Sequence, residues 1–277
     1  YGDDRRTEIV EFYSDLTDED LIPEEDLIVT LSKEGYAKTQ PLDAYQAQNR
    51  GGTGKRAASL KDEDFVSKLF VANTHDTLLC FSSYGKVYWI KVYRLPRGGR
   101  NAKGRPIVNL LPLEKDERIQ AVLPVKEFND DQFIFMATES GSVKKTKLSA
   151  YSRPMKSGIK AIKLREGDRV VNAEITDGSK EIMLFSNSGK SIRFKETDAR
   201  PMGRVSQGVR GMRIEKDQRI ISLVVLEEGN ILVATENGFG KQTLKDEFSI
   251  QKRGGKGVIC LLYTSDAADE EDSVDLG

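Results

Sequence analysis

Short apolar runs recur along the chain, and each gives way to a polar turn that ends in glycine. Leu27 to Leu31 leads to Gly35, Leu78 to Phe81 to Gly85, and Phe133 to Met136 to Gly141. Ile182 to Phe185 leads to Gly189, and Ile231 to Val233 to Gly238. These glycines are spaced by 50, 56, 48 and 49 residues. A second glycine follows each by 17 or 19 residues, at Gly54, Gly104, Gly158, Gly208 and Gly257. Past the first glycine, polar and apolar positions alternate, as in Ser191-Ile192-Arg193-Phe194-Lys195. An apolar run, a glycine-closed turn and an alternating segment predict a β-hairpin. Alternation puts Ile192 and Phe194 on one face and Arg193 and Lys195 on the other. Past the second glycine another short apolar strand is expected, over 107–110, 159–162 and 209–212. An acidic turn and a fourth strand, such as 220–225, complete the unit. Four strands per unit make one blade, and a period near 50 is that of propeller-like arrays. The predicted fold is therefore all-β: a propeller-like array of four-stranded blades, with five repeats visible and a sixth missing or incomplete.

The segment before each second glycine is basic and free of acids in all five copies. The first copy reads Gln48-Asn49-Arg50-Gly51-Gly52-Thr53-Gly54, with Lys55 and Arg56 just beyond. A Gly-Lys pair after a glycine-rich turn suggests a nucleotide phosphate loop. That loop needs a glycine where Asn49 stands and a Ser or Thr where Arg56 stands, so the match fails. The other copies carry Arg97, Arg100, Lys103 and Arg105, then Arg153, Lys156 and Lys160. Arg200, Arg204 and Arg210 follow, and finally Lys252, Arg253 and Lys256. Arg193 and Lys195 join them on the alternating strand. A discontinuous nucleotide pocket would not repeat in this way. Basic loops at one blade position are expected to line a rim with positive charge, which suits a long polyanion.

The overall charge conceals this, because the formal net charge is only −1. Residues 1–26 hold eleven acids and two bases, and residues 264–277 hold six acids and no base. The body between them carries a net +14, the electrostatic footprint of a polyanionic partner. Two cysteines, Cys80 and Cys260, and one histidine, His75, cannot make a four-ligand zinc site. The cysteines are read as small buried hydrophobes in a reducing compartment, and His75 as a polar turn residue. No apolar run is long enough to span a membrane. The first residue is Tyr1, not Met, and the chain is expected to be a piece of a longer protein.

The chain resembles the C-terminal domain of DNA gyrase A. The resemblance is carried by Gln48 to Gly54, by Ala72-Asn73-Thr74-His75-Asp76 running into Leu79 to Ser83, and by Gly104-Arg105-Pro106 through Glu114. Phe135 to Thr138 and Gly208 to Gly211 are also similar. It implies a β-pinwheel that bends duplex DNA around its rim, enabling ATP-dependent negative supercoiling; no base-reading helix is evident in the sequence, so weak sequence preference is expected. It also implies that the catalytic tyrosine, ATP and magnesium belong to other segments of an A2B2 assembly. That assembly joins gyrase A to the ATPase subunit, gyrase B, in the bacterial cytoplasm, at the nucleoid. This chain then has no cofactor, metal or catalytic residue of its own. Residues 1–26 become an acidic linker from the upstream cleavage domain and 27–263 the pinwheel; after Ile259 the sequence departs from the blade pattern, and 264–277 is expected to be an acidic disordered tail. The family loop usually reads Gln-Arg-Arg-Gly-Gly-Lys-Gly, so Asn49 and Thr53 each lose a charge, whereas residues 251–257 match it better. Position in the first repeat favours 48–54 as the key loop. The alternatives are the equivalent domain of topoisomerase IV, which generally lacks that loop, a protein-binding propeller, and an enzyme with its site in a central channel. The single tryptophan, Trp89, argues against a WD-type propeller, and one histidine leaves an enzyme little to work with.

Overall fold

The computed structural model describes residues 19–44, 64–99, 102–234 and 240–260. The strands in chain order are β1 (Asp26–Ser32), β2 (Tyr36–Pro41), β3 (Val66–Asn73), β4 (Thr77–Ser82), β5 (Lys86–Lys91) and β6 (Arg105–Pro106). They continue with β7 (Ile119–Val125), β8 (Phe133–Thr138), β9 (Ser142–Lys147), β10 (Ile159–Lys160), β11 (Val170–Thr176) and β12 (Glu181–Ser186). The last are β13 (Lys190–Lys195), β14 (Val209–Arg210), β15 (Ile220–Leu226), β16 (Asn230–Ala234), β17 (Gly240–Leu244) and β18 (Val258–Ile259).

Five hairpins organise these strands: β1–β2, β4–β5, β8–β9, β12–β13 and β16–β17. The same local code closes the first four. In each, the glycine N–H donates to the carbonyl three residues back, as from Gly35 to Ser32 and from Gly141 to Thr138. The hydroxyl of that earlier residue then accepts the N–H just past the glycine. Ser32 serves Tyr36, Ser82 serves Lys86, Thr138 serves Ser142 and Ser186 serves Lys190. The Ser or Thr that ends each apolar run is thus a built-in turn cap.

Each of the first four hairpins is widened into a four-stranded antiparallel sheet, with orders β3-β1-β2-β6, β10-β5-β4-β7, β11-β8-β9-β14 and β15-β12-β13-β18. One long outer strand comes from the same repeat. The other has only two residues and is donated by the next repeat: β6 pairs with β2, β10 with β5, β14 with β9 and β18 with β13. This corrects the expectation that one repeat makes one blade. It also shortens the strands expected over 107–110, 159–162 and 209–212, since Ile107–Asn109 is a 3-10 turn. The second glycine explains the exchange. A Cβ on Gly208 would lie 2.5 Å from the Val143 carbonyl oxygen, and one on Gly257 would lie 2.5 Å from that of Ser191. Only glycine lets the loop lie this close on the preceding hairpin.

The chain divides into two compact units, one of residues 1–78, 89–112 and 124–126, the other of residues 79–88, 113–123 and 127–277. The first holds the β3-β1-β2-β6 sheet. In the second, adjacent sheets share one apolar core. Phe135, Ala137 and Val143 of one sheet pack with Ile182, Leu184, Ile192, Phe194 and Leu223 of the next. Burying both faces of a sheet in this way is what stacking of repeats achieves.

The described end of the acidic N-terminal stretch is tied to the first unit. Thr74 donates its N–H to the Glu25 carbonyl and its hydroxyl to the Pro23 carbonyl, and Lys91 pairs with Glu19 at 2.6 Å. His75 lies in the turn, with Nε2 2.8 Å from the Ile22 carbonyl. Cys80 is buried as expected; Cys260 is only half-buried, with its thiol against the Gly189 carbonyl.

Candidate nucleic-acid interface

The described basic loops lie against the second strand of the hairpin before them. The Thr39 N–H donates to the Pro96 carbonyl and the Gly98 N–H to the Thr39 carbonyl, which seats residues 97–99 along β2. Met202 donates to the Lys145 carbonyl and Gln251 to that of Arg193, seating the later loops along β9 and β13 at the same register. In the loop of residues 153–158, a Cβ on Gly158 would meet the ring of Tyr88, at 2.6 Å.

Within the second unit, three of these loops are joined in series by their backbones. The Lys163 N–H donates to the Ser206 carbonyl at 3.1 Å, linking the third loop to the fourth. The Arg213 N–H donates to the Gly255 carbonyl at 2.7 Å and the Gly254 N–H to the Gly211 carbonyl at 2.5 Å, linking the fourth to the fifth. Arg253 reinforces that second junction through the carbonyls of Arg210 and Asp198. The result is one continuous basic row.

The row presents Arg153, Lys156, Lys160, Arg200, Arg210, Lys252 and Lys256 to solvent, with Lys195 exposed at the end of β13. In the first unit Lys103 and Arg105 are exposed as well. None of these makes an ion pair among the described residues. Arg97 is exposed but pairs with Glu25, and Arg204 and Arg253 are half-buried. Gln48, Asn49, Arg50, Gly51, Gly52, Thr53, Gly54, Lys55, Arg56 and Arg100 lie outside the described residues.

Arg193 is a correction. It is 6% exposed, with its guanidinium 2.5 Å from the Glu181 carboxylate and donating to the carbonyls of Lys245 and Phe248. With these donors engaged inside the protein, it cannot serve a phosphate. Alternation misplaced it because in an array of stacked sheets the face opposite the apolar one is also covered. Lys145, its equivalent in the preceding blade, is likewise buried, 3.8 Å from Glu196 and with Nζ 5.1 Å from the centre of the Phe133 ring.

Two exposed cations were missed: Lys163 and Arg213, each three residues past a predicted one, Lys160 and Arg210. The repeat register carried the signal. The acidic turns take no part in the row. Glu117 accepts the Tyr88 hydroxyl and the Glu114 N–H, and Asp168 accepts the N–H and hydroxyl of Ser140. No cluster of metal-ligating side chains occurs among the described residues, and no helix there is long and apolar enough to cross a membrane.

A family model described as the DNA gyrase C-terminal domain, beta-propeller, matches residues 26–73, 76–126, 132–177, 180–227 and 229–274. The DNA gyrase A protein of Salmonella typhimurium is 54% identical over 265 residues, covering 95% of this chain and 30% of that protein. That of Aeromonas salmonicida is 47% identical over 324 residues, covering 99% and 35%. The chain thus spans about a third of the length of the curated relatives it matches. Among solved structures, the C-terminal domain of DNA topoisomerase IV superposes with a TM-score of 0.73 at 31% identity, covering 86% of this chain and 73% of that one. A DNA gyrase A C-terminal domain superposes with 0.68 at 29% identity, covering 84% and 76%.

Proposed function

The chain belongs to the DNA gyrase C-terminal domain, beta-propeller family, and from that premise we propose that it binds duplex DNA along its basic loops and bends it. The observation that carries this reading is the row of three loops whose backbones are hydrogen-bonded in series and whose exposed cations make no ion pair among the described residues. A repeated row of cations suits a repeated row of phosphates. Bending about 20–30 bp strongly costs on the order of 1–6 kcal/mol. Phosphate contacts offset that cost by releasing counterions, each adding about −0.9 to the salt slope. The row offers no groove-reading helix, so sequence preference rests on DNA bendability.

In the longer protein this chain acts as the wrapping domain of a DNA gyrase A, working with the ATPase subunit, gyrase B, in an A2B2 assembly in the bacterial cytoplasm, at the nucleoid. ATP and magnesium serve other segments. The test is topological: a nicked circle is sealed by ligase with this chain bound, and a positive linking-number shift is expected. No shift, together with affinity that is flat across salt, would instead mark a protein-binding propeller. The likeness to the topoisomerase IV domain supports a second reading, that this chain is the equivalent domain of a topoisomerase IV; affinity that falls with salt while the linking number stays put would favour it.

A further inference from the structure

Lys144 is fully buried on β9, three residues past the hairpin glycine Gly141. Its ammonium donates to the Ala161 carbonyl at 2.6 Å and to the Arg204 carbonyl. Ala161 follows the third basic loop, and Arg204 lies in the fourth. Lys38 holds the same register, three residues past Gly35, and is also buried. Its ammonium donates at 3.0 Å to the carbonyls of both Gly99 and Ala102, in the second basic loop. Two blades thus spend a buried cation on gathering the carbonyls of a basic loop.

We propose that Lys144 and Lys38 are positioning residues for DNA: each buried ammonium pins a basic loop in the shape that presents its exposed cations to the phosphate backbone. This rests on the DNA-binding reading above. A lysine ammonium has three donors and no acceptor, so it can draw separate carbonyls to one point where a neutral apolar side chain could not. A buried charge is costly without such partners.

The same burial makes the pin sensitive to pH. Desolvation, with the nearby Arg204 charge, pushes Lys144 down to about 7. Lys160 and Lys163 lie close to Ala161 in sequence, and among the described residues no carboxylate pairs with Lys144. DNA phosphates at the loop counter the Arg204 charge and raise the Lys144 pKa, so binding takes up a proton. Affinity therefore falls as pH rises past the free-state value.

The experiment measures binding of linear duplex DNA between about pH 6 and about pH 9. Amide exchange over 203–208 is followed without DNA. The parent should lose affinity several-fold across this range. Lys144→Met should bind about tenfold more weakly at the acid end, show a much shallower profile than the parent and exchange its loop amides faster. A parent profile that is already flat overturns the proposal, even if Lys144→Met does not fold. Parallel profiles, or unchanged exchange in a folded Lys144→Met, also overturn it. Absence of DNA binding by the parent at low salt would sink the functional reading instead, while exchange still reports on the pin.

Discussion

At the scale of single residues, basic side chains of similar sequence context do opposite jobs. Lys160 is exposed beyond its loop glycine, whereas Arg193 is enclosed by Glu181 and two carbonyls. Lys160→Gln should flatten the salt slope of DNA binding by about 0.9 and leave stability within about 0.5 kcal/mol. Arg193→Gln should leave the slope alone and lower stability by about 3 kcal/mol, since it breaks a largely buried charged network. Salt titration and urea unfolding of the two variants separate the roles; a slope change in Arg193→Gln would return it to the interface. The glycines divide in the same way. Gly208 has φ of +85° and its Cβ would meet the Val143 carbonyl oxygen, while Gly203 has open space around it. Gly208→Ala should therefore cost more than about 1–2 kcal/mol, and Gly203→Ala little. Equal urea midpoints would show that the loop does not need its close seat on β9.

At the scale of elements, the hairpins were legible and their partners were not. The Ser or Thr at the end of the apolar run and the glycine three residues later form a local code that pins each hairpin turn. The donated strands are two residues long and pair across repeats, so no local pattern announces them. The basic loops were legible from composition, but the backbone bonds that join them are not encoded by side-chain type. Alternation failed at Arg193 because both sheet faces are covered and its charge turns inward to two carbonyls and a carboxylate; that of Lys145, at the same register, also turns inward. Burial also marks two tyrosines. Tyr88 is pushed above its usual value first by burial and then by Glu117, and Tyr151 by burial. A raised folded-state pKa means the native protein holds its proton longer than the unfolded chain. The associated stability is complete below about pH 10 and is lost as pH rises further. Urea midpoints should drop above about pH 10, with tyrosinate absorbance from these two rings appearing only with unfolding. Full titration of all nine tyrosines in the folded protein would contradict this.

At the scale of the whole molecule, charge is segregated along the chain more sharply than the net value suggests. Residues 264–277 carry six acids and no base, and the body carries a net +14. A tethered acidic segment at high effective concentration would compete with phosphate for the same cations, which is a testable expectation for residues 264–277. The competition is electrostatic, so it weakens once salt brings the Debye length to about 8 Å near 0.15 M. Removing residues 264–277 should therefore raise duplex affinity severalfold at low salt and little at physiological salt, with the salt slope becoming steeper. Exchanging the six acids for their amides should reproduce the effect without shortening the chain. If deletion acts equally at both salts, the segment works by occupying space and not by charge; if neither change alters affinity, the tail does not reach the basic row.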